Sequence, residues 1–439
     1  MTDDAQIANR EQWGSRLGYI LSTLGMSVGV GAVWRFPMMT SQYGGGAFVL
    51  AFIIITILVV LPAGWAESAF GRKYRKGVLP TLEEAGGKKG KALGWLMTIT
   101  PIGLMAYYPI IIANILVYIF YTIAGAPFLN DVDGFFGMVN DRRPFLFLLV
   151  IAVNGITALI SVKGIQKGIE KCCKIMLPLM LVVATIISIR VLTLDGIGDG
   201  VRYYLKPDFA QLKNPALWTS AAGMALFAVG LGPGFLLTYG SYLDETADLA
   251  SDFLTVNLAQ LITCLLFGFT IVPATVLFQI ENAAGKGILF QALPLVFSKI
   301  PGGMIWFFIF MVALLFSGIS ATIAQVEVPV TSLKESLHLS RNKSIAIVTG
   351  LTTTLAIPCV WSDAFFTFFD NLIGNVFYCI TAAALAVFLA WFVGAKTIRE
   401  EWYNPTSRIQ YGSWVDVLYK YIACPAFLYF AVTSLLTLF

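Results

Sequence analysis

Two glycine pairs interrupt long apolar stretches of this chain: Val28-Gly29-Val30-Gly31 and, about 200 residues later, Val229-Gly230-Leu231-Gly232. Both stretches are apolar enough to lie in lipid, where a backbone N–H or C=O without a partner is expensive. A break there must line a cavity or bind something. A half-helix ending near Gly25 presents carbonyls, which attract cations. One beginning near Val30 presents amides, which attract carboxylates. The second break repeats the arrangement, with Phe227 and Ala228 before it and Pro233 and Gly234 within it. Pro233 has no N–H and cannot continue a helix undisturbed. Carbonyl and amide ends facing one cavity suit a zwitterion. Close helix packing through small residues is the competing explanation for a single Gly-x-Gly, whereas two copies, one with a proline, favour a binding site. Matched breaks in two halves of a chain point to the midplane site of a secondary transporter.

Other chemistry is sparse. The one histidine, His338, sits in a basic turn, and the six cysteines (Cys172, Cys173, Cys264, Cys359, Cys379, Cys424) lie in or beside apolar spans without metal-ligand spacing. Glu67, Glu327 and Asp370 are scattered. A membrane enzyme needs such groups clustered on one cavity, so none is expected, nor an organic cofactor, nor a nucleic-acid partner. The 439 residues are 58% hydrophobic and 12% charged, against about 25% charged in soluble proteins. This is the composition of a chain surrounded by membrane lipid. Residues 1–12 are polar and do not resemble a cleavable signal peptide.

Eleven apolar runs approach the roughly 20 residues needed to span a bilayer: 15–40, 46–71, 93–124, 143–160, 168–192, 216–242, 249–281, 301–336, 343–360, 365–394 and 414–438. Lys and Arg concentrate in alternate loops, such as Arg72 to Lys76, Lys88 to Lys91, Lys163 to Lys174 and Lys334 to Lys343. That asymmetry places the N-terminus in the cytoplasm. Spans one to five (15–192) and six to ten (216–394) form two halves. An odd number of spans per half makes them inverted repeats, with 414–438 appended, so the two breaks meet near the middle of the bilayer. The semi-polar segment 282–300 contains an apolar stretch, Ile288 to Phe297. It reads either as a lid-like helical hairpin or as a surface loop.

Several blocks resemble the neurotransmitter:sodium symporter family: Arg10-Glu11-Gln12-Trp13, Arg16-Leu17-Gly18, the first break, Trp34-Arg35-Phe36-Pro37, and Gly44-Gly45-Gly46-Ala47-Phe48. Further matches include Tyr107-Tyr108, Gly168-Ile169-Glu170 with Pro178, Thr238-Tyr239-Gly240-Ser241-Tyr242, and Ser317-Gly318-Ile319-Ser320. The resemblance implies an all-α, LeuT-type fold with a 5+5 inverted repeat, one additional span and broken spans one and six. It also implies alternating access in a bacterial inner or plasma membrane, with an amino acid or related small zwitterion coupled to sodium. Carried over by position, it implies that Gly25, Met26, Ser27, Gly29, Val30 and Gly31 contact the substrate, with Tyr108 bonding its carboxylate. Leu104, Phe227, Gly230, Gly232, Pro233, Ser320, Thr322 and Gln325 would complete the pocket. A second sodium site would use Gly25, Val28, Ser317 and Ser320. Arg35 with Asp370 would form an outer gate, and Arg10 with Glu335 an inner one. Gly168 to Pro178 would be an element of span five that unwinds to admit water.

The first sodium site departs from the family pattern. Ala32 and Ala228 stand where an asparagine and a hydroxyl residue are usual, and Gln260 stands for a further asparagine, leaving Ser27 beside them. Methyl groups cannot coordinate a hard cation. The readings are one sodium at the second site, proton coupling through Glu327, sodium-independent transport, or a sensor that does not transport. Glu67 matches a structural position.

Overall fold

The computed structural model describes residues 10–279 and 288–436. Most of the polar start, Asn282 and Lys286 of the 282–300 segment, and the end of run eleven lie outside them. Among the described residues there is no strand, only one isolated bridge between Gly45 and Pro207.

The first span is two helices, α1 (Arg16–Ser27) and α2 (Val30–Gln42), bent by 51° at Val28 and Gly29. Ser15 caps α1 by accepting from the Gly18 N–H, which satisfies one of the free amides at a helix start. Then follow α3 (Gly46–Tyr74), α4 (Val78–Ile123), α5 (Arg143–Val162) and α6 (Ile165–Leu192). Span six is α7 (Pro215–Val229) and the short α8 (Phe235–Gly240). The remaining spans are α9 (Leu249–Leu277), α10 (Gly303–Ser336), α11 (Arg341–Trp361), α12 (Asp363–Thr406) and α13 (Trp414–Leu436).

The second break has a local cause. Gly230, Gly232 and Gly234 all take positive φ (74°, 109° and 85°), a region open to glycine and strained for other residues. Pro233 between them withholds an N–H. The two apolar runs flanking the glycines therefore cannot join into one rod.

Two other helices depart from the hydropathy runs. Helix α4 begins 15 residues before run 93–124, because Glu83, Glu84, Lys88, Lys89 and Lys91 lower the local hydropathy of an amphipathic first segment that is helical on both sides of a break. Gly87 (φ 56°, ψ −138°) kinks it there. Helix α12 carries wide π-type turns at 370–377, 388–394 and 398–403, and Gly394 (φ 99°) breaks it before the helical segment that follows. In span five, 165–170 is also π-wound, while 171–192 stays α-helical through Pro178. The apolar part of 282–300 is helical, and Phe290 packs on Tyr118 and Phe136.

Helix α10 lies against α4, α5, α6 and α1, and α9 against α1, α2 and α6. Helices α9 and α10 thus flank both halves of the broken first span. This packing puts the two breaks side by side in the centre: Ser27 Oγ donates to Thr23 O at 2.8 Å and reaches Val229 O at 3.4 Å.

Candidate functional site at the two helix breaks

Freed backbone groups at the breaks find specific partners, as burial demands. The Val30 N–H donates to Tyr108 Oη at 2.8 Å, so α4 answers the open N-terminus of α2. Gly29 lets the phenol come that close: a Cβ there would lie 2.7 Å from Tyr108 Oη. Gly31 has the Phe227 ring over it in the same way. At the second break, the buried Glu67 of α3 accepts from the N–H of Gly232 at 2.9 Å and of Leu237 at 3.4 Å. One carboxylate thereby bridges the unwound segment and the first turn of α8.

Between the breaks lies a cavity lined by Met26, Ser27, Gly29, Ala32, Leu104, Tyr108, Phe227, Gly230, Phe235, Ala321, Ala324, Gln325 and Tyr378. Its free volume is about 30 Å³, room for roughly two waters. A larger solute enters only as the lining moves. Phe227 and Tyr378, with ring centroids 5.6 Å apart, form one wall. Two larger grooves of about 480 and 550 Å³ are mainly apolar and lie away from the breaks, and a third of about 320 Å³ is lined by charged side chains including Arg16, Asp244, Asp248, Asp252 and Arg408.

Four oxygens converge where α1 ends. Ser317 Oγ donates to Val28 O at 2.5 Å, and Ser320 Oγ to Gly25 O at 2.9 Å. Neutral oxygens from carbonyls and hydroxyls are the donor set a hard cation takes, and sodium fits it. Ala321 adds only a methyl. The first set does not fit. Ala32 and Ala228 are buried methyls. Gln260 turns its Nε2 to Cys264 Sγ at 3.0 Å and is not in the cavity wall.

The charged pairs divide. Arg10 is bonded to Glu335, and its guanidinium also donates to Ser241 O at 3.1 Å. Glu335 Oε2 accepts from the Gly77 N–H at 2.6 Å. Arg35 and Asp370, by contrast, do not form the expected ion pair. Arg35 donates to Asn375 Oδ1 at 2.6 Å and lies 5.1 Å over the Phe227 ring, while Asp370 faces the Tyr107 hydroxyl. The π-type turn over 370–377 explains the exchange: positions five apart come close to one face, so Asn375 competes with Asp370 for the guanidinium. Glu327 is not a free carboxyl in the cavity. It is fully buried, takes both arms of Arg341 at 2.9 and 2.7 Å, and accepts from Tyr242 Oη at 2.6 Å. It braces α10 against α11, with both carboxyl oxygens engaged.

Among the other expected pocket residues, Met26, Ser27, Gly29, Leu104, Tyr108, Phe227, Gly230 and Gln325 line the cavity. Gly25 and Ser320 belong to the oxygen cluster, Val30 and Gly31 back Tyr108 and Phe227, and Gly232 serves Glu67. Pro233 is not in the wall. Thr322 is a correction. It lies about 100° round the helix from Ala321, and its hydroxyl meets Thr157 of α5 at 2.8 Å. The sequence reading missed Phe235, Ala324 and Tyr378 in the wall and Asn375 beside Arg35. Ala324 was within reach of helical spacing, since residues three and four apart share a face and Ser320 and Ala321 lie four and three positions before it. Tyr378 carries no signal beyond being an aromatic residue in an apolar span.

The chain matches the family described as Sodium:neurotransmitter symporter over residues 10–128 and 138–439. It is 32% identical to an uncharacterized sodium-dependent transporter of Methanocaldococcus jannaschii, over 94% of this chain and 87% of that one. It is 31% identical to an uncharacterized sodium-dependent transporter of Haemophilus influenzae, over 94% of this chain and 95% of that one. Among solved structures it resembles MhsT in complex with L-phenylalanine, with a TM-score of 0.87 and 27% identity, over 97% of this chain and all of that one. These are transporters rather than members of an enzyme class, and the long apolar helices fit a multi-pass integral membrane protein. With this fold, these paired breaks and a match running through almost all of its residues, the chain belongs to the sodium:neurotransmitter symporter family and is a sodium-coupled symporter with the LeuT fold.

Proposed function

We propose that the protein carries a neutral amino acid or a closely related zwitterion by alternating access, with one sodium ion held at Gly25, Val28, Ser317 and Ser320. The observation that carries this reading is the convergence of both breaks on one cavity, with Tyr108 seated on the Val30 amide beside the oxygen cluster. The α-carboxylate lies at the amide end of α2 and at Tyr108, and the ammonium at the carbonyl ends of α1 and α7. Sodium, when bound, would supply the inward driving force and a fixed positive charge held by the oxygens at the carbonyl end of α1. MhsT holds L-phenylalanine in its crystal structure, which supports an amino acid as the solute class.

The halves are residues 15–192 and 216–394, with 414–438 appended, the N-terminus is cytoplasmic, and the setting is a bacterial inner membrane. Arg10 and Glu335 close the inner side, together with the Gly77 amide and Ser241. Arg35 closes the outer side through Asn375 and the Phe227 face. The Arg10–Glu335 contact is mostly buried, so it holds the inner side shut until water enters and screens the two charges.

The test is uptake of labelled amino acids into proteoliposomes under sodium, potassium and choline gradients. Accumulation that requires sodium supports the reading; equal uptake in choline overturns the coupling, and binding without accumulation leaves a sensor. Two substitutions localise the parts. Tyr108→Phe is expected to weaken substrate binding about 10- to 150-fold, since a buried hydrogen bond to a charged group is worth about 1.5–3 kcal/mol, with little change in the sodium requirement. Ser320→Ala is expected to raise the sodium concentration for half-maximal binding about tenfold by removing one ligand oxygen, while leaving substrate affinity at saturating sodium close to wild type. Wild-type sodium dependence in Ser320→Ala would place the ion elsewhere.

A further inference from the structure

The groove of about 550 Å³ runs between the end of α4 and the start of α5. Leu116, Val117 and Phe120 form one side, and Pro144, Phe145 and Leu149 the other. Tyr121 and Arg142 stand at its mouth, because α4 finishes where α5 begins. The groove opens on lipid rather than on the bundle. Phe120 and Phe145 are exposed, and so are Leu148, Ile151, Ile156 and Leu159 further along α5. In a membrane such a surface meets acyl chains as apolar as itself.

Arg142 turns this face into a site. Helix α5 has 20 residues, about 30 Å at 1.5 Å per residue, which is the thickness of the hydrocarbon core. The residue just before it therefore lies at headgroup depth, where a tyrosine such as Tyr121 also belongs. Arg142 is exposed, and its guanidinium has no hydrogen bond or ion pair among the described residues. Its neighbour Arg143 is engaged, donating to Asp363 Oδ2 at 2.8 Å and to Val360 O at 2.7 Å. Nearby carboxylates do not answer Arg142. Asp131 accepts from the Gly134 N–H at 2.9 Å, and Asp133 from Gln291 Nε2 at 2.5 Å. A guanidinium is a planar fork of donors that matches phosphate oxygens. At headgroup depth above an apolar groove, the phosphate within reach is that of a lipid. The groove of about 480 Å³ has no charged residue in its wall and lacks this pairing.

We infer that the groove between α4 and α5 holds one membrane phospholipid, with its phosphate on the Arg142 guanidinium and an acyl chain against Leu116, Phe120, Phe145 and Leu149. The groove extends about 8–10 Å along the helices, so it takes the upper part of the chain and leaves the rest in the bilayer. Both helices reach the centre of the bundle: α4 carries Tyr108, and α5 meets α10 through Thr157 and Thr322. The lipid ties these two helices together whichever solute the cavity carries.

The experiment is native mass spectrometry and thermal unfolding of the purified, delipidated full chain. It is titrated with phosphatidylglycerol, phosphatidylethanolamine, phosphate-free diacylglycerol of the same acyl chains, and inorganic phosphate alone. One phospholipid per chain is expected to stay bound and to raise the unfolding midpoint. Diacylglycerol is expected to bind about fivefold more weakly or worse, the contribution of one arginine near the membrane surface. Arg142→Gln is expected to bring phospholipid down to the level of diacylglycerol, with Arg142→Lys between. Its lipid-free midpoint should match wild type, since the side chain has no bond to lose. Leu149→Trp, which fills the groove, is expected to remove both lipids. Diacylglycerol binding as tightly as phospholipid overturns the inference, and so does wild-type phospholipid retention in Arg142→Gln. Inorganic phosphate stabilising as strongly as the lipid would make Arg142 a free-anion site and overturn it too. A dimer that Leu149→Trp abolishes and lipid does not affect would show that a second copy of the chain covers the groove instead.

Discussion

Glu327→Ala is expected to destabilise the protein by about 3–5 kcal/mol, the usual result of removing one partner of a buried ion pair. Glu327 is fully buried, and the Arg341 guanidinium that grips both its oxygens would be left charged, with only Ser161 O at 2.9 Å to accept from it. Tyr242 Oη would lose its acceptor as well. Arg341→Ala is expected to cost a similar amount, for the mirror reason. The double substitution Glu327→Leu with Arg341→Met should recover a large part of the loss, since apolar side chains of similar volume often replace a buried pair without penalty. Thermal unfolding in detergent measures all three, and the coupling between the single changes isolates the pair. The same variants separate bracing from proton transfer. If the double variant folds and still accumulates substrate with a wild-type pH profile, Glu327 carries no coupling proton. A lost pH dependence of transport in that variant would reinstate it as a carrier.

Glu67→Ala is the second large effect. The carboxylate holds the N–H groups of Gly232 and Leu237, and the unwound segment has no helical carbonyl to offer them instead. Each buried amide orphaned in this way costs about 1–3 kcal/mol, so a loss of several kcal/mol is expected, concentrated at the second break. Glu67→Gln keeps one acceptor oxygen but turns an NH2 toward a donor, and should fall between wild type and alanine. The readouts are the unfolding midpoint and substrate affinity, which should fall together because Gly230, in the same unwound segment, lines the cavity. A wild-type midpoint in Glu67→Ala would show that water or neighbouring carbonyls satisfy the segment and that the carboxylate is not its anchor.

These two carboxylates illustrate what can be read along the chain. Both are visible in the sequence as acidic residues in apolar spans, and each must have a partner. The partners are not visible. Glu67 finds amides about 165 residues away, and Glu327 an arginine on the next helix. The same limit explains Arg35. Its need for a partner follows from its apolar setting, but the choice of Asn375 over Asp370 depends on a π-type turn that no local pattern announces. Thr322 was within reach of helix geometry, since the 100° step from Ala321 already turns it from the cavity. Tyr378 and Phe235 were not, because apolar spans are aromatic-rich on every face.

By itself the sequence settles that this chain crosses a membrane many times and points to breaks in two corresponding places, because Gly230, Gly232 and Gly234 are weak helix formers and Pro233 between them withholds an N–H. It also settles that the alanines at 32 and 228 cannot supply side-chain oxygens to a cation. The tertiary structure alone decides which group answers each freed amide and carbonyl: Tyr108 for Val30, Glu67 for Gly232, Ser317 and Ser320 for Val28 and Gly25. It alone puts Gln325 in the cavity wall with its buried Oε1 unpaired among the described residues. The reason is geometric. Hydropathy and spacing determine where a helix runs and which residues share a face, but partners distant in sequence are chosen by how each helix is rotated and shifted against its neighbours, and that is set by the packing of the whole bundle.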